Sequence, residues 1–191
     1  MSYYLESLFT KYGTDKGIWG YTPAYEKYLE ARRLKVKHVL EIGICGFRDI
    51  PNNVVGASLF AWRDYFPNAI IHGLDNDPRF IFNDQNGIVT TQCDAYNPGA
   101  LHTAMQQVFL ASPGQFDLIV DDAVHDPIPQ INLMNDLWPY LAQDGIYVIE
   151  DVCPYKLPHD ELMHMIRHFP EGAKVEAFQT HKDERLLICT R

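Results

Sequence analysis

The chain has 191 residues, enough for one full core and short for two, and its 47% hydrophobic and 21% charged content is ordinary globular composition. A formal charge of −9, with 16 scattered Lys and Arg and no basic stripe, speaks against nucleic acid as a partner. No apolar run approaches the ~20 residues that span a bilayer, and the start MSYYLESLFTKYG lacks the form of a signal peptide, so one soluble, cytoplasmic domain is expected over residues 1–191.

SYYLESLFTKYG carries apolar residues at helical spacing, and TPAYEKYLEARR opens with Thr22 as N-cap and Pro23 at the first helical position. KHVLEIG is a short buried strand ending in glycine. ASLFAWRDYF then reads as a helix, AIIHGLD and GIVTTQCD as strands, and NPGALHTAMQQVFLAS as a helix capped by Asn97. FDLIVDD is a strand, PQINLMNDLWPYLAQDG a helix despite Pro139, and GIYVIED a strand. HDELMHMIRHF is a final helix, and KVEAFQT with RLLICT reads as an antiparallel hairpin joined by HKDE. Continuous apolar strands alternating with helices predict an α/β fold: a doubly wound, mostly parallel seven-stranded sheet with a C-terminal antiparallel hairpin.

Such a sheet binds its ligand beyond the carboxyl ends of its strands. EIGICGF leaves the first strand with Glu41, Gly43 and Gly46, a turn that lets backbone approach a ligand closely. Asp75 ends the next strand and can accept from two ribose hydroxyls, and Asp94, after the third, can accept from an adenine amino group. Together they describe an adenosine pocket. The turn lacks the third glycine of G-x-G-x-x-G, and no helix follows it directly to hold a pyrophosphate, which favours S-adenosylmethionine over NAD.

Farther along, the strand FDLIVDD ends in Asp121-Asp122, with His125 three residues later, and YVIED ends in Glu150-Asp151. If these two strands are neighbours, three or four carboxylates converge at one sheet edge, where mutual repulsion calls for a cation or a proton. Oxygen ligands without cysteine suit a hard ion, most simply Mg²⁺. The four cysteines, Cys45, Cys93, Cys153 and Cys189, are widely spaced and read as packed thiols.

The stretches KYGTDKG, YTPAYEKYLE, VLEIGICGF, GASLFAWRDYFPNAIIHGLD, FDLIVDDAVHD and LWPYLAQDGIYVIEDV resemble class I S-adenosylmethionine-dependent methyltransferases. The resemblance is to the metal-dependent group of macrolide sugar O-methyltransferases of the mycinamicin type, with cephalosporin hydroxylase-like proteins as cousins. It implies that Gly43 and Asp75 hold the cofactor's methionine part and ribose, and Asp94 its adenine, with Glu41 and Gly46 in the same turn. Residues 1–34 would form a helical cap over the cofactor pocket, with Asp15, Lys16 and Tyr21 reaching into it. Asp122, Glu150 and Asp151 would bind the metal, and His125 would be the general base, with Asp122 beside it in catalysis. Where that group usually has Asp-Asp-Gly-Ser-His, this chain has Ala123 and Val124 before His125.

The implied activity is methylation of a hydroxyl on a small sugar-like or natural-product acceptor, in a protein that can form homo-oligomers. Two alternatives stay open. One is a metal-independent methyltransferase with His125 alone as base, and the other a non-catalytic cofactor-binding accessory protein.

Overall fold

The computed structural model describes residues 4–45, 54–84, 86–152, 159–180 and 185–191. Its strands are β1 (His38–Ile42), β2 (Ile70–Asp75), β3 (Asn83–Asp84), β4 (Ile88–Gln92), β5 (Phe116–Asp121), β6 (Leu141–Ile149), β7 (Lys174–Gln179) and β8 (Arg185–Thr190). The helices are α1 (Tyr4–Tyr12), α2 (Thr22–Leu29), α3 (Ala57–Tyr65), α4 (Pro98–Ala111), α5 (Pro127–Leu137) and α6 (His159–Ile166). One sheet has the order β3-β4-β2-β1-β5-β6-β8-β7. Strands β4, β2, β1, β5 and β6 run parallel, and β8 pairs antiparallel with both β6 and β7. The expected seven strands are present, and β3 adds a two-residue antiparallel edge beside β4.

Period-two alternation sends successive side chains to opposite faces of the sheet. Leu40, Ile42, Leu74, Ile119, Tyr147 and Ile149 pack on one face with Met105 of α4, Leu133 of α5 and Leu162 of α6. Val39, Ile71, Leu118, Val120, Ile146 and Val148 pack on the other with Phe9 of α1, Tyr25 of α2 and Trp62 of α3. No helix among the described residues is long and apolar enough to cross a membrane.

Two local readings shift. The side chain of Asn97 caps α4 by accepting from the N–H groups of Gly99 and Ala100, as its sequence position predicts. By contrast Thr22 lies inside α2, whose cap position is Tyr21. The helix expected over 129–145 is shorter. It begins at Pro127 and ends at Leu137, and a 3-10 turn over Trp138–Tyr140 carries Pro139 before β6 starts at Leu141. Proline lacks the N–H that a continuing helix would need, so the chain leaves the helical path there.

His72 sits mid-strand in β2 with 1% of its surface exposed, its ring stacked on His38 and edge-on to Phe116. Neither ring nitrogen has a hydrogen-bond partner, and burial, with a smaller contribution from His38, pushes its pKa down to about 4. The native state therefore keeps His72 neutral where the unfolded chain, with a histidine near 6.5, already takes a proton. Stability from this residue is full above about pH 6.5 and falls as the pH drops toward 4. Between pH 7 and 4.5, wild type should lose roughly 2–3 kcal/mol more stability than His72→Gln in urea unfolding. Equal losses would show that the imidazole is not held neutral.

Candidate active site

Strand order reverses between β1 and β5, the switch point at which open α/β sheets place their ligands. There Gly43 follows β1 with φ +83, and a Cβ on it would lie 2.2 Å from the carbonyl oxygen of Asp122. Glycine is required because the backbone leaving β5 passes directly against it. Asp75, at the end of β2, accepts from the N–H of Ile44 at 3.1 Å and of Asp77 at 2.9 Å. Its carboxylate ties the two loops together and keeps lone pairs for further donors. Asp94 is exposed and accepts from the N–H of Tyr96 at 3.1 Å. Gly46 lies outside the described residues.

The register pairs Asp121 with Ile149, so Asp122 and Glu150 follow side by side. Alternation then separates the acids. Asp121 turns to the α4–α5 face, where it is fully buried 3.4 Å from the hydroxyl of Tyr96, and burial pushes it up to about 7. Asp122, Glu150 and Asp151 stay together at the sheet edge. The backbone of Asp151 is left-handed, with φ +52, a conformation that Asp tolerates better than most residues. It carries the carboxylate back toward Asp122.

The cation within this cluster is Lys16. Its Nζ lies 2.6 Å from Asp122 Oδ2, 2.6 Å from Glu150 Oε2 and 3.3 Å from Glu41 Oε1, with 1% of the side chain exposed. Burial works to lower the lysine's pKa, but the three carboxylates outweigh it and hold the ammonium charged. Burial likewise raises Glu41 and Glu150 against the pull of Lys16, whereas in Asp122 Lys16 and His125 win and the pKa falls. Tyr25 donates to Glu150 Oε1, Tyr21 to Asp151 Oδ1, and Trp62 Nε1 to Glu41 Oε2 at 2.6 Å.

His125 is partly exposed, but its Nε2 is buried, 3.2 Å from Asp151 Oδ2 and 3.8 Å from Asp122 Oδ1. Asp122 and Asp151 together raise its pKa against the effect of burial. Ligand atoms of Asp122, His125 and Asp151 lie within 4.8 Å of one another, a group that could hold a metal ion.

No family model matches the chain. It is 33% identical over 156 residues to the 8-demethyl-8-(2-methoxy-alpha-L-rhamnosyl)-tetracenomycin-C 3'-O-methyltransferase of Streptomyces olivaceus, covering 78% of this chain and 38% of that one. To the demethylmacrocin O-methyltransferase of Streptomyces fradiae it is 32% identical over 152 residues, covering 78% and 36%. A methyltransferase of mycinamycin biosynthesis, solved in complex with Mg, SAH and mycinamycin VI, aligns with 97% of this chain and 54% of its own at a TM-score of 0.75 and 22% identity. The chain is a homologue of the sugar O-methyltransferases, with their class I fold. It spans less than two fifths of the length of these curated relatives.

Of the residues singled out in the sequence, Asp122, His125, Glu150 and Asp151 come together, and Lys16 and Tyr21 join them at the same edge. Glu41 faces the lysine from behind, and Asp15 lies on the surface, accepting from the indole of Trp19 at 3.2 Å. Sequence reasoning missed Tyr25, Tyr96 and Trp62. Tyr25 alone had a local signal, since it follows Tyr21 by four residues and so shares its face of α2.

Gly43→Ala should destabilise the fold by at least about 2 kcal/mol, combining left-handed strain with the contact on the Asp122 carbonyl. An unchanged urea midpoint would mean that the two strand exits are not in contact.

Proposed function

We propose that this chain is the catalytic part of an S-adenosylmethionine-dependent O-methyltransferase, assisted by a divalent ion, most simply Mg²⁺, and acting on a hydroxyl of a small sugar-bearing acceptor. The observation that carries the reading is the meeting of Asp122, His125 and Asp151 at the switch point, beside Asp75 and the turn at Gly43. Homology to sugar O-methyltransferases supports the same chemistry.

Asp75 receives the ribose hydroxyls, Asp94 the adenine amino group, and the turn at Gly43 lies beside the methionine part. The carboxylates of Asp122 and Asp151 fit a hard divalent ion, because their oxygens come within 4.8 Å of one another and of the His125 ring. Asp122 and Asp151 would hold it, and when bound it makes a hydroxyl presented to it more acidic. His125 takes the acceptor's proton at Nε2 as the oxygen attacks the sulfonium methyl. One O–C bond forms, one S–C bond breaks, and the carboxylates beside His125 stabilise the imidazolium. Tyr21 fixes Asp151 by its hydrogen bond, holding the imidazole in place indirectly. Exposed Val124 and Ile128 flank His125 and offer an apolar rim to the body of an acceptor.

One observation favours a second reading. Lys16 already supplies a positive charge to the cluster, so part of the carboxylate charge is balanced in a methyltransferase that uses His125 without metal.

Titration calorimetry with S-adenosylmethionine, then Mg²⁺, should show cofactor binding in wild type and Asp122→Ala but metal binding in wild type only. His125→Ala should lower turnover of a sugar-bearing acceptor by about 10²-fold or more while keeping cofactor affinity. No cofactor binding would overturn the methyltransferase reading, and full turnover in excess chelator would select the metal-free one.

A further inference from the structure

We propose that Tyr96, on the loop after β4, is a positioning residue for His125, and that its hydroxyl clamps the backbone of the turn on which the imidazole stands. Calling His125 the base rests on the methyltransferase reading, whereas the clamp on its turn stands without it.

The chain leaves β5 at Asp121 and enters α5 at Pro127, so His125 stands on a short connection outside both elements. Ala123 and Val124, the two residues before it, have no polar side chain to fix the backbone, and Val124 is 42% exposed. Partners outside the turn fix it instead. The Asp122 N–H donates to the Ile42 carbonyl at 2.9 Å, and the Val124 N–H donates to the Tyr96 hydroxyl oxygen, also at 2.9 Å. Both are ordinary lengths for a full N–H···O bond. The Asp126 N–H then closes on the Val124 carbonyl at 2.8 Å, a three-residue turn with His125 at its apex. The direction of the imidazole therefore follows from the setting of Val124, which Tyr96 holds.

The hydroxyl is itself held in place. A phenol can accept and donate at once, and this one, having accepted from Val124, lies 3.4 Å from Oδ1 of the fully buried Asp121. At its backbone, the Tyr96 N–H donates to the Asp94 carboxylate at 3.1 Å, and the next residue, Asn97, caps α4. The ring packs, partly buried, on the core shared by α4 and α5. In the sheet, β2 and β1 lie between β4 and β5, so no ladder bond joins the exits of these two strands. The length of a tyrosine side chain bridges that gap. A tyrosine kept for packing alone would need no hydroxyl, yet this hydroxyl meets the N–H next to the base.

The test is NMR on the full chain without ligand, comparing wild type with Tyr96→Phe. In wild type the Val124 amide should exchange at least about tenfold slower than an unbonded amide. In Tyr96→Phe it should exchange about tenfold or more faster than in wild type, while the Asp122 amide, bonded to Ile42, stays within about twofold. The ring signals of His125 should shift or broaden in the variant, and those of the exposed His102 on α4 should not. A purely packing role would leave both readouts unmoved, because phenylalanine keeps the ring. Val124 exchange unaltered in the variant, equal acceleration at Asp122, or an unmoved His125 ring would overturn the proposal. Should Tyr96→Phe fail to fold, the wild-type Val124 amide decides: protection upholds the clamp and its absence overturns it. S-adenosylmethionine is then added to wild type. Failure to bind removes the methyltransferase reading and with it the role of His125 as base, but leaves the clamp as the exchange rates decide it.

Discussion

Negative charge buried where parallel strands end is the constraint on which the site depends. Glu41, Asp122 and Glu150 come from three adjacent strands, and strand spacing alone brings them within reach of one another. Each costs several kcal/mol to remove from water, and their mutual repulsion adds to that cost unless a cation lies among them. Lys16 is that cation, and it comes from outside the sheet. Tyr25 on Glu150 and Trp62 on Glu41 satisfy further acceptor sites, each reaching over the same face from its own helix. The packing of α1, α2 and α3 on that face is thus tied to the electrostatics of the strand ends.

The switch point adds a steric constraint. Helices after β1 and β5 leave toward opposite faces, which opens a crevice, yet the two strand exits must stay close enough for the Asp122 N–H to reach the Ile42 carbonyl at 2.9 Å. Gly43 resolves the conflict by having no Cβ. The glycine that suggested a cofactor in the sequence thus has a packing reason of its own, since the backbone of Asp122 and Ala123 fills the space where its Cβ would stand. Asp75 plays a similar structural part, since the N–H groups of Ile44 and Asp77 that orient its carboxylate tie two loops together.

The fold was legible because its strands are apolar runs bounded by turns, a pattern that the folded protein preserves to within one residue at each end of β1, β2 and β5. The acid pairs were legible for the same reason, as their positions follow from where the strands stop. What the pattern could not carry was side-chain direction after the strands end. Asp121 and Asp122 look equivalent in the sequence, yet one is buried beneath Tyr96 and the other faces Lys16. Nor could periodicity place Lys16, whose partner Glu150 is 134 residues away. The misplaced end of α5 has a simpler origin, since an amphipathic pattern runs through Trp138–Tyr140 without registering that Pro139 has no N–H to give.

An ammonium and a divalent ion solve different parts of the same problem. Lysine neutralises carboxylates with three directional N–H groups and then has nothing left to offer, which suits a position sealed from water. A divalent ion neutralises carboxylates and still accepts oxygens from a substrate, which suits a position open to one. In the cluster Glu150 is buried against Lys16, whereas Asp151 and His125 are partly exposed a few ångströms away. Asp122 stands between Lys16 and His125, so charge placed on one side changes the field on the other. Lys16 therefore takes up part of the charge at Asp122, and any cation on the His125 side would share that carboxylate with it.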